Sequence, residues 1–398
     1  MMARRISYPL FAMSLLHFIN DANVLLIPTV LPLIIAEFNL SYTQVGLLTG
    51  LIPLAMVFLQ FPLGYISDVK GKKNLLSFGI FLVGFGTIIS GLSKTYLELL
   101  FAQLIIGIGA SFYHPLGYSL TSSLYETKER GGALGIQSSM GDFGILVIFA
   151  VNGYLALLGG WRLPMLIFGT LAMASSIFPL LVKENKASIE LRKHKINIRK
   201  ILSWNVLAVF LMYALLSAGY KVFYTYFSPY LTTKGLEITS INLILAAATF
   251  SGIIGGLATG FLIDKYTEIK PLLASSFMLV IFSFVFAILK TRNIFWIFIN
   301  ILVLGLCLYG LYPGLYYTLS ESVDRNVLGV TYGLLLSIGT IGGFLGTVTT
   351  GVISDIFGVG AALWMFSLIM LSLFLTLLIT VLKSNENKTK KATVDDID

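Results

Sequence analysis

Charge is scarce in this 398-residue chain: Asp, Glu, Lys and Arg make up 12% of it, against about a quarter in ordinary soluble domains. That excludes a water-soluble enzyme of one or two domains, whose surface would need far more charge to cover its core. Cysteine is reduced to Cys307, inside an apolar run, so no disulfide framework and no Cys/His zinc pattern can be built. There are three histidines and no His-Glu-x-x-His, which removes the usual metalloprotease signature. Strict apolar/polar alternation is missing too, and with it the outer-membrane barrel. What is present is apolar: 57% of the residues are hydrophobic and the mean hydropathy is +0.88. A bilayer is the solvent this composition demands.

A spanning helix takes about 20 apolar residues. Twelve such runs can be marked, at 7–36, 43–67, 74–92, 96–124, 131–158, 161–182, 202–230, 240–263, 271–289, 294–320, 327–353 and 359–382. The expected fold class is therefore all-α, with twelve transmembrane helices in two pseudo-symmetric six-helix bundles. The bundles are placed at 1–182 and 201–382, joined by a basic linker at 183–200 and followed by a polar, disordered tail at 383–398. Arg4 and Arg5 precede an apolar stretch with no small-residue cleavage site, which reads as a retained first span.

Lys and Arg fix the orientation through their placement in loops. With the N-terminus inside, 21 of the 27 cations fall on the cytoplasmic side, five fall outside, and Lys221 lies within a span. Both termini are expected in the cytoplasm and the protein in the cell membrane. The net charge of +8 is thereby a topology signal, with no nucleic acid as partner.

The two halves repeat. Gly64-Tyr65-Ile66-Ser67-Asp68 after the second span matches Gly260-Phe261-Leu262-Ile263-Asp264 after the eighth, at an offset of 196. Glu126 and Arg130 match Glu321 and Arg325 at an offset of 195. Two pairs at nearly one offset argue for duplication. The stretch from Gly64 to Asp68, continued by Val69-Lys70-Gly71-Lys72-Lys73, resembles the loop signature Gly-x-x-x-Asp-Arg/Lys-x-Gly-Arg/Lys-Arg/Lys of the major facilitator superfamily, with Val69 where a cation is usual. His17-Phe18-Ile19-Asn20-Asp21 and Gly107-Ile108-Gly109-Ala110-Ser111-Phe112-Tyr113-His114-Pro115 resemble the fosmidomycin-resistance type of exporter. Gln103 departs from that group's fourth-span arginine, and Asp142 replaces the proline of its fifth-span motif. The resemblance implies a transporter and points to export.

The candidate proton-coupling residues are Asp21, His17 and Asp142. A carboxylate near mid-membrane costs at least ~2.5–3.5 kcal/mol to insert, so Asp21 is a functional candidate, with a helix-packing hydrogen bond as the alternative. His17 precedes it by one helical turn, on the same face; a structural histidine donating to a backbone carbonyl is equally compatible. Asp142 lies about 16 Å into the fifth span at 1.5 Å per residue, among glycines that suit close helix packing. The candidate substrate-cavity residues are Asn20, His114 and Lys221. Pro115 kinks the helix beside His114. Lys221 could bind an anion, pair with a carboxylate of the other half, or snorkel to the interface. The neighbouring tyrosines read as packing or interface residues.

The candidate gating loop comprises Gly64, Asp68, Gly71, Lys72, Lys73 and Arg130. The resemblance implies that Asp68 faces the N-terminal end of the eleventh helix, from about Asn326, where a carboxylate is stabilised by ~0.3–1 kcal/mol when exposed. Gly71-Lys72 does not complete a phosphate-cradling loop, so ATP is not the evident energy source, and no cofactor or metal is expected. An intramembrane enzyme would need a metal or nucleophile constellation, and a scaffold or sensor an attached signalling domain; the chain offers neither signature. The expected function is a proton-coupled secondary transporter, not an enzyme, that exports a drug-like or anionic small molecule by rocking two halves, as a monomer in the lipid bilayer. A symporter or uniporter importing an organic acid or sugar is the alternative.

Overall fold

A computed structural model describes residues 7–125, 127–182, 203–266, 270–289, 291–323 and 328–395. The linker at 183–200 lies outside the described residues, as do Glu126, Arg325 and Asn326. Every described element is helical, as expected where no water can satisfy a bare backbone. The first span is two helices, α1 (Tyr8–Val24) and α2 (Leu26–Phe38). There follow α3 (Tyr42–Lys70), α4 (Lys73–Leu92), α5 (Tyr96–Leu124), α6 (Thr127–Gly159) and α7 (Arg162–Ser175), the last extended by a tight turn at Phe178–Leu181. The second half comprises α8 (Trp204–Thr232), α9 (Ile238–Tyr266), α10 (Lys270–Leu289), α11 (Ile294–Ser322), α12 (Leu328–Phe357) and α13 (Ala361–Asp395). Twelve of these spans are long and apolar enough to cross a membrane, and they start and stop within a few residues of the sequence-marked runs.

Local chemistry sets the ends. Ser41 caps α3 through a reciprocal box: its hydroxyl accepts from the Gln44 N–H at 3.2 Å, and the Gln44 side chain accepts from the Ser41 N–H at 2.9 Å. Thr95 caps α5, Ser203 caps α8 and Asn293 caps α11 in the same sense. The sequence reads 7–36 as one rod, yet the helix is interrupted at Leu25. Pro28 has no N–H to return to the Val24 carbonyl, which weakens the ladder there. The last span differs as well. A disordered tail is expected from Lys383, but α13 continues to Asp395; once a helix is nucleated, each further residue adds a bond without paying the nucleation cost.

An even number of spans returns the chain to the face where it began. That terminal face carries the start of α1 and the end of α13, where Lys383 Nζ lies 4.0 Å from the Trp204 ring centroid. Within the first half α4 packs on α5 and α7, α3 on α5, and α1 on α6; within the second, α9 packs on α11, and α10 and α8 on α13. The halves meet through α3 against α12, α6 against α9, and α2 against α8. One apolar core, including Met13, Leu16, Ile80, Val83 and Ile106, belongs to the first half alone. A larger core runs through both halves, from Leu26, Val30 and Phe149 to Tyr224, Phe227 and Leu245.

The two faces are packed differently. Away from the termini, a Cβ placed on Gly46 of α3 would lie 2.5 Å from the Thr347 carbonyl oxygen of α12, and one on Gly153 of α6 would lie 2.7 Å from Thr239 Cα of α9. Near the terminal face, a Cβ on Gly131, Gly132 or Gly135 of α6, or on Gly333 of α12, would meet nothing within 4 Å. The halves are in close contact at the far face, and these glycines of the terminal face are uncovered.

Candidate functional site

Three ionisable residues at mid-membrane, His17, Asp21 and His114, meet at a place built by α1, α5 and α6. His17 and Asp21 sit one turn apart on α1, with His17 Nε2 3.1 Å from Asp21 Oδ2. His114 on α5 brings its Nε2 to 3.9 Å from Asp21 Oδ1. Asn20 donates to the same Oδ1 at 2.9 Å and is fully buried, so in this conformation it orients the carboxylate. The Asp21 and His114 side chains are 21% and 27% exposed against 4% for His17, so the carboxylate and the second imidazole border open space while the first imidazole is enclosed. Gly141 of α6 permits this approach: a Cβ there would lie 2.6 Å from Asp21 Oδ2.

The surroundings of His17 dictate where its hydrogen sits. Its Nδ1 lies 2.7 Å from the Gln137 backbone carbonyl on α6, and a carbonyl only accepts, so Nδ1 carries the hydrogen. In neutral imidazole that leaves a lone pair on Nε2, aimed at a carboxylate oxygen 3.1 Å away. Two lone pairs repel at that distance. The contact closes only with one further proton between the two groups, as imidazolium and carboxylate or as imidazole and carboxylic acid. The ring is held from below by Tyr113, stacked at a centroid distance of 4.8 Å. The Tyr113 hydroxyl donates to the Met13 carbonyl at 2.7 Å and accepts from Gln137 Nε2 at 2.9 Å. The ligand atoms of His17, Asp21 and His114 lie within 4.8 Å of one another, a spacing at which a metal ion could enter only in place of that proton.

Asp142, half-buried on α6, makes no ion pair among the described residues; its charge reaches both His17 and Asp21. Lys221 on α8 stands apart from this cluster, though within electrostatic reach of Asp21. It lines a small cavity between the halves with Val24, Leu25, Pro28, Thr49, Gln103 and Thr225. Gln103, where the resemblance leads one to look for arginine, donates to Ser90 Oγ at 3.2 Å.

The gating-loop candidates are scattered by comparison. Gly71 ends α3 at φ +89°, a left-handed value that suits glycine, and its N–H bonds the Ser67 carbonyl at 3.0 Å. Lys73 Nζ reaches the Leu180 carbonyl at 3.4 Å, and Arg130 Nη2 lies 3.5 Å from that of Tyr125. Gly64 faces Pro115, whose Cβ is 3.7 Å from its virtual Cβ. Lys72 stands at the N-cap of α4. The Asp68 side chain lies outside the described part of the molecule.

In the second half, phenols gather where α8 packs against α11. Tyr213, Tyr220 and Tyr224 of α8 meet Tyr309, Tyr312 and Tyr316 of α11, with hydroxyl contacts Tyr213–Tyr316 at 3.0 Å and Tyr224–Tyr309 at 3.0 Å. The Tyr213 and Tyr312 rings sit 5.8 Å apart, as do Tyr220 and Tyr309. Of these, the sequence reads only Tyr220 and Tyr224, beside Lys221, as packing or interface residues. The signal of this wall was the helical spacing of the tyrosines, seven and four residues apart on α8 and three and four apart on α11.

The sequence model of the Major Facilitator Superfamily matches residues 13–347. The fosmidomycin resistance protein of Escherichia coli K12 is 27% identical over 363 residues, covering 86% of each chain. An uncharacterized MFS-type transporter of Methanocaldococcus jannaschii is 25% identical over 343 residues, covering 82% of this chain and 86% of its own. Among solved structures, a bacterial homologue of the human lysosomal transporter Spinster, inward-facing and occupied, superposes with a TM-score of 0.77 at 20% identity over 96% of both chains. The nucleoside transporter NupG superposes with 0.78 at 14% identity over 94% of this chain and 99% of its own. With twelve helices long and apolar enough to cross a membrane and a family match over most of its length, the chain belongs to the major facilitator superfamily.

Proposed function

We propose that this protein is a proton-coupled exporter of a drug-like or anionic small molecule, working by alternating access across the cell membrane. The observation that carries this reading is the His17–Asp21 contact, which needs one exchangeable proton at mid-membrane and borders open space. The excess of cations in the linker and in the loops of the terminal face supports placing that face in the cytoplasm. When the halves open outward, the pair takes up a proton. When they open inward, the proton leaves, and Asp21 is balanced by His114 and by the more distant Lys221. A substrate that uses the same neutralising contacts then competes with the proton, which is the requirement for exchange. Asp142 is a second proton acceptor, and the tyrosine wall offers ring faces and hydroxyls to the substrate body. The Asp68 loop closes the cytoplasmic side.

The test is transport by purified protein in liposomes under an imposed pH step, with a panel of candidate solutes and proton flux as readout. Solute-dependent proton flux is expected for the natural protein and its loss for Asp21→Asn, with the variant still folded. Unchanged pH-driven transport in that variant would reject the coupling role. Solute movement down the proton gradient, not against it, would favour the importing symporter.

A further inference from the structure

The five-residue pattern that ends the second span occurs once more, at an unexpected place. Gly351-Val352-Ile353-Ser354-Asp355 ends α12, and it shares Gly, Ile, Ser and Asp with Gly64-Tyr65-Ile66-Ser67-Asp68 at the end of α3. These two helices pack against each other across the halves. Because they run in opposite directions, the end of each lies beside the start of the other.

At the far face the contact is made. Asp355 reaches across the halves to the start of α3: Oδ1 accepts from the Tyr42 N–H at 2.6 Å, and Oδ2 accepts from the Thr43 N–H at 2.9 Å and from the Thr43 hydroxyl at 2.5 Å. Tyr42 is the first residue of α3, so the carboxylate takes up two of the amides that a helix start leaves unbonded and sits at the positive end of its dipole. The glycine of the pattern makes the approach possible, since a Cβ on Gly351 would overlap the Tyr42 carbonyl oxygen. Tyr226 of α8 completes the crossing by donating to the Thr347 carbonyl at 2.6 Å, with the Tyr42 carbonyl 3.1 Å away. This is the face at which the halves are closed.

We infer that Asp355 is a gating residue, an outer latch reciprocal to the one expected of Asp68, so that the same Gly-x-Ile-Ser-Asp element at opposite ends of the α3/α12 pair closes the two faces in turn. The inference rests on the alternating-access reading proposed above. Three hydrogen bonds hold the far face shut in the present conformation. Outward opening must break all three and hand the Tyr42 and Thr43 amides to water. The Asp68 contact can then form at the other end of the same helix pair. The device makes the two closed faces mutually exclusive without any substrate.

Spin-label distances across each face test this, on a Cys307→Ala background with label pairs bridging the halves. Asp355→Ala should raise the outward-open fraction about two- to fivefold, the range expected for an exposed carboxylate at a helix start. Thr43→Val, which deletes one of the three donors, should move it the same way by less, and covers the case in which Asp355→Ala does not fold. Asp68→Asn should raise the inward-open fraction, and joined to Asp355→Ala it should return the distribution toward that of the natural protein. If Asp68→Asn shifts the distances but neither Asp355→Ala nor Thr43→Val does, the outer latch is overturned and alternating access stands. If no variant and no pH step changes either face, the rocking itself is overturned.

Discussion

The two halves share a plan yet put different chemistry at corresponding positions. Carried across by the offset of 196 that links the second and eighth spans, His17 falls on Tyr213 and Asp21 on Ser217. By the offset of 195 that links the fourth and tenth, His114 falls on Tyr309. Every ionisable member of the first half's cluster thus meets a neutral hydroxyl in the second. Both sets are tied by hydrogen bonds or ion-pair contacts. On the function proposed above, this difference is a division of labour between the halves: the first would hold the proton, and the second would offer aromatic and hydroxyl surface to the cargo. A proton site needs groups that change charge and a fixed tautomer, whereas a binding wall works best with groups that stay neutral when the proton moves.

The comparison can be broken by exchanging its terms. His17→Tyr, which gives the first half the residue of the second, should abolish proton-coupled flux outright, measured in liposomes under a pH step, since a phenol cannot share the proton with Asp21 as the imidazole does. If coupling survives, the division is wrong. Asp142→Asn should cut the coupled rate by an intermediate factor, about tenfold, without changing the amount of folded protein; a full loss would move the proton site from Asp21 to Asp142. Tyr309→Phe and Tyr224→Phe remove hydroxyls but leave rings, so the KM for a transported solute should rise several-fold with the proton stoichiometry unchanged. Tyr113→Phe should act least. It frees the Met13 carbonyl and Gln137 Nε2, costs about 1–3 kcal/mol of stability, and shifts the pH profile of transport without abolishing it. A change in thermal stability with no change in that profile would make Tyr113 a packing residue only.

How much of this was legible in the chain depends on the range of each contact. The spans were readable because a bilayer imposes length and hydropathy on each helix separately. The His17–Asp21 pair was readable because i and i+4 share a helix face, and the Gly64 to Asp68 pattern because it is contiguous. His114 could be flagged as a mid-membrane imidazole, but its 3.9 Å approach to Asp21 is set by the crossing of α1 and α5, which no local pattern encodes. The partner that fixes the His17 tautomer is a backbone carbonyl, that of Gln137, and backbone atoms have no signature in sequence. The interruption at Leu25 has a local signal in Pro28, three residues on. Asp355 was visible as a repeat of the Asp68 pattern, but its partners begin 313 residues earlier, at Tyr42, and only the antiparallel packing of α3 on α12 reveals what it holds.

The central claim is that His17 is locked with its hydrogen on Nδ1 and shares one further proton with Asp21 through Nε2. Because the chain has three histidines, nitrogen-15 NMR of histidine-labelled protein, with His114→Gln and His194→Gln for assignment, can read it directly. The account predicts a protonated Nδ1 at every pH at which the protein is folded. It also predicts a Nε2 signal, displaced by the shared proton, that collapses to that of a bare nitrogen in Asp21→Asn. A bare Nδ1, or a Nε2 signal indifferent to Asp21, would contradict it.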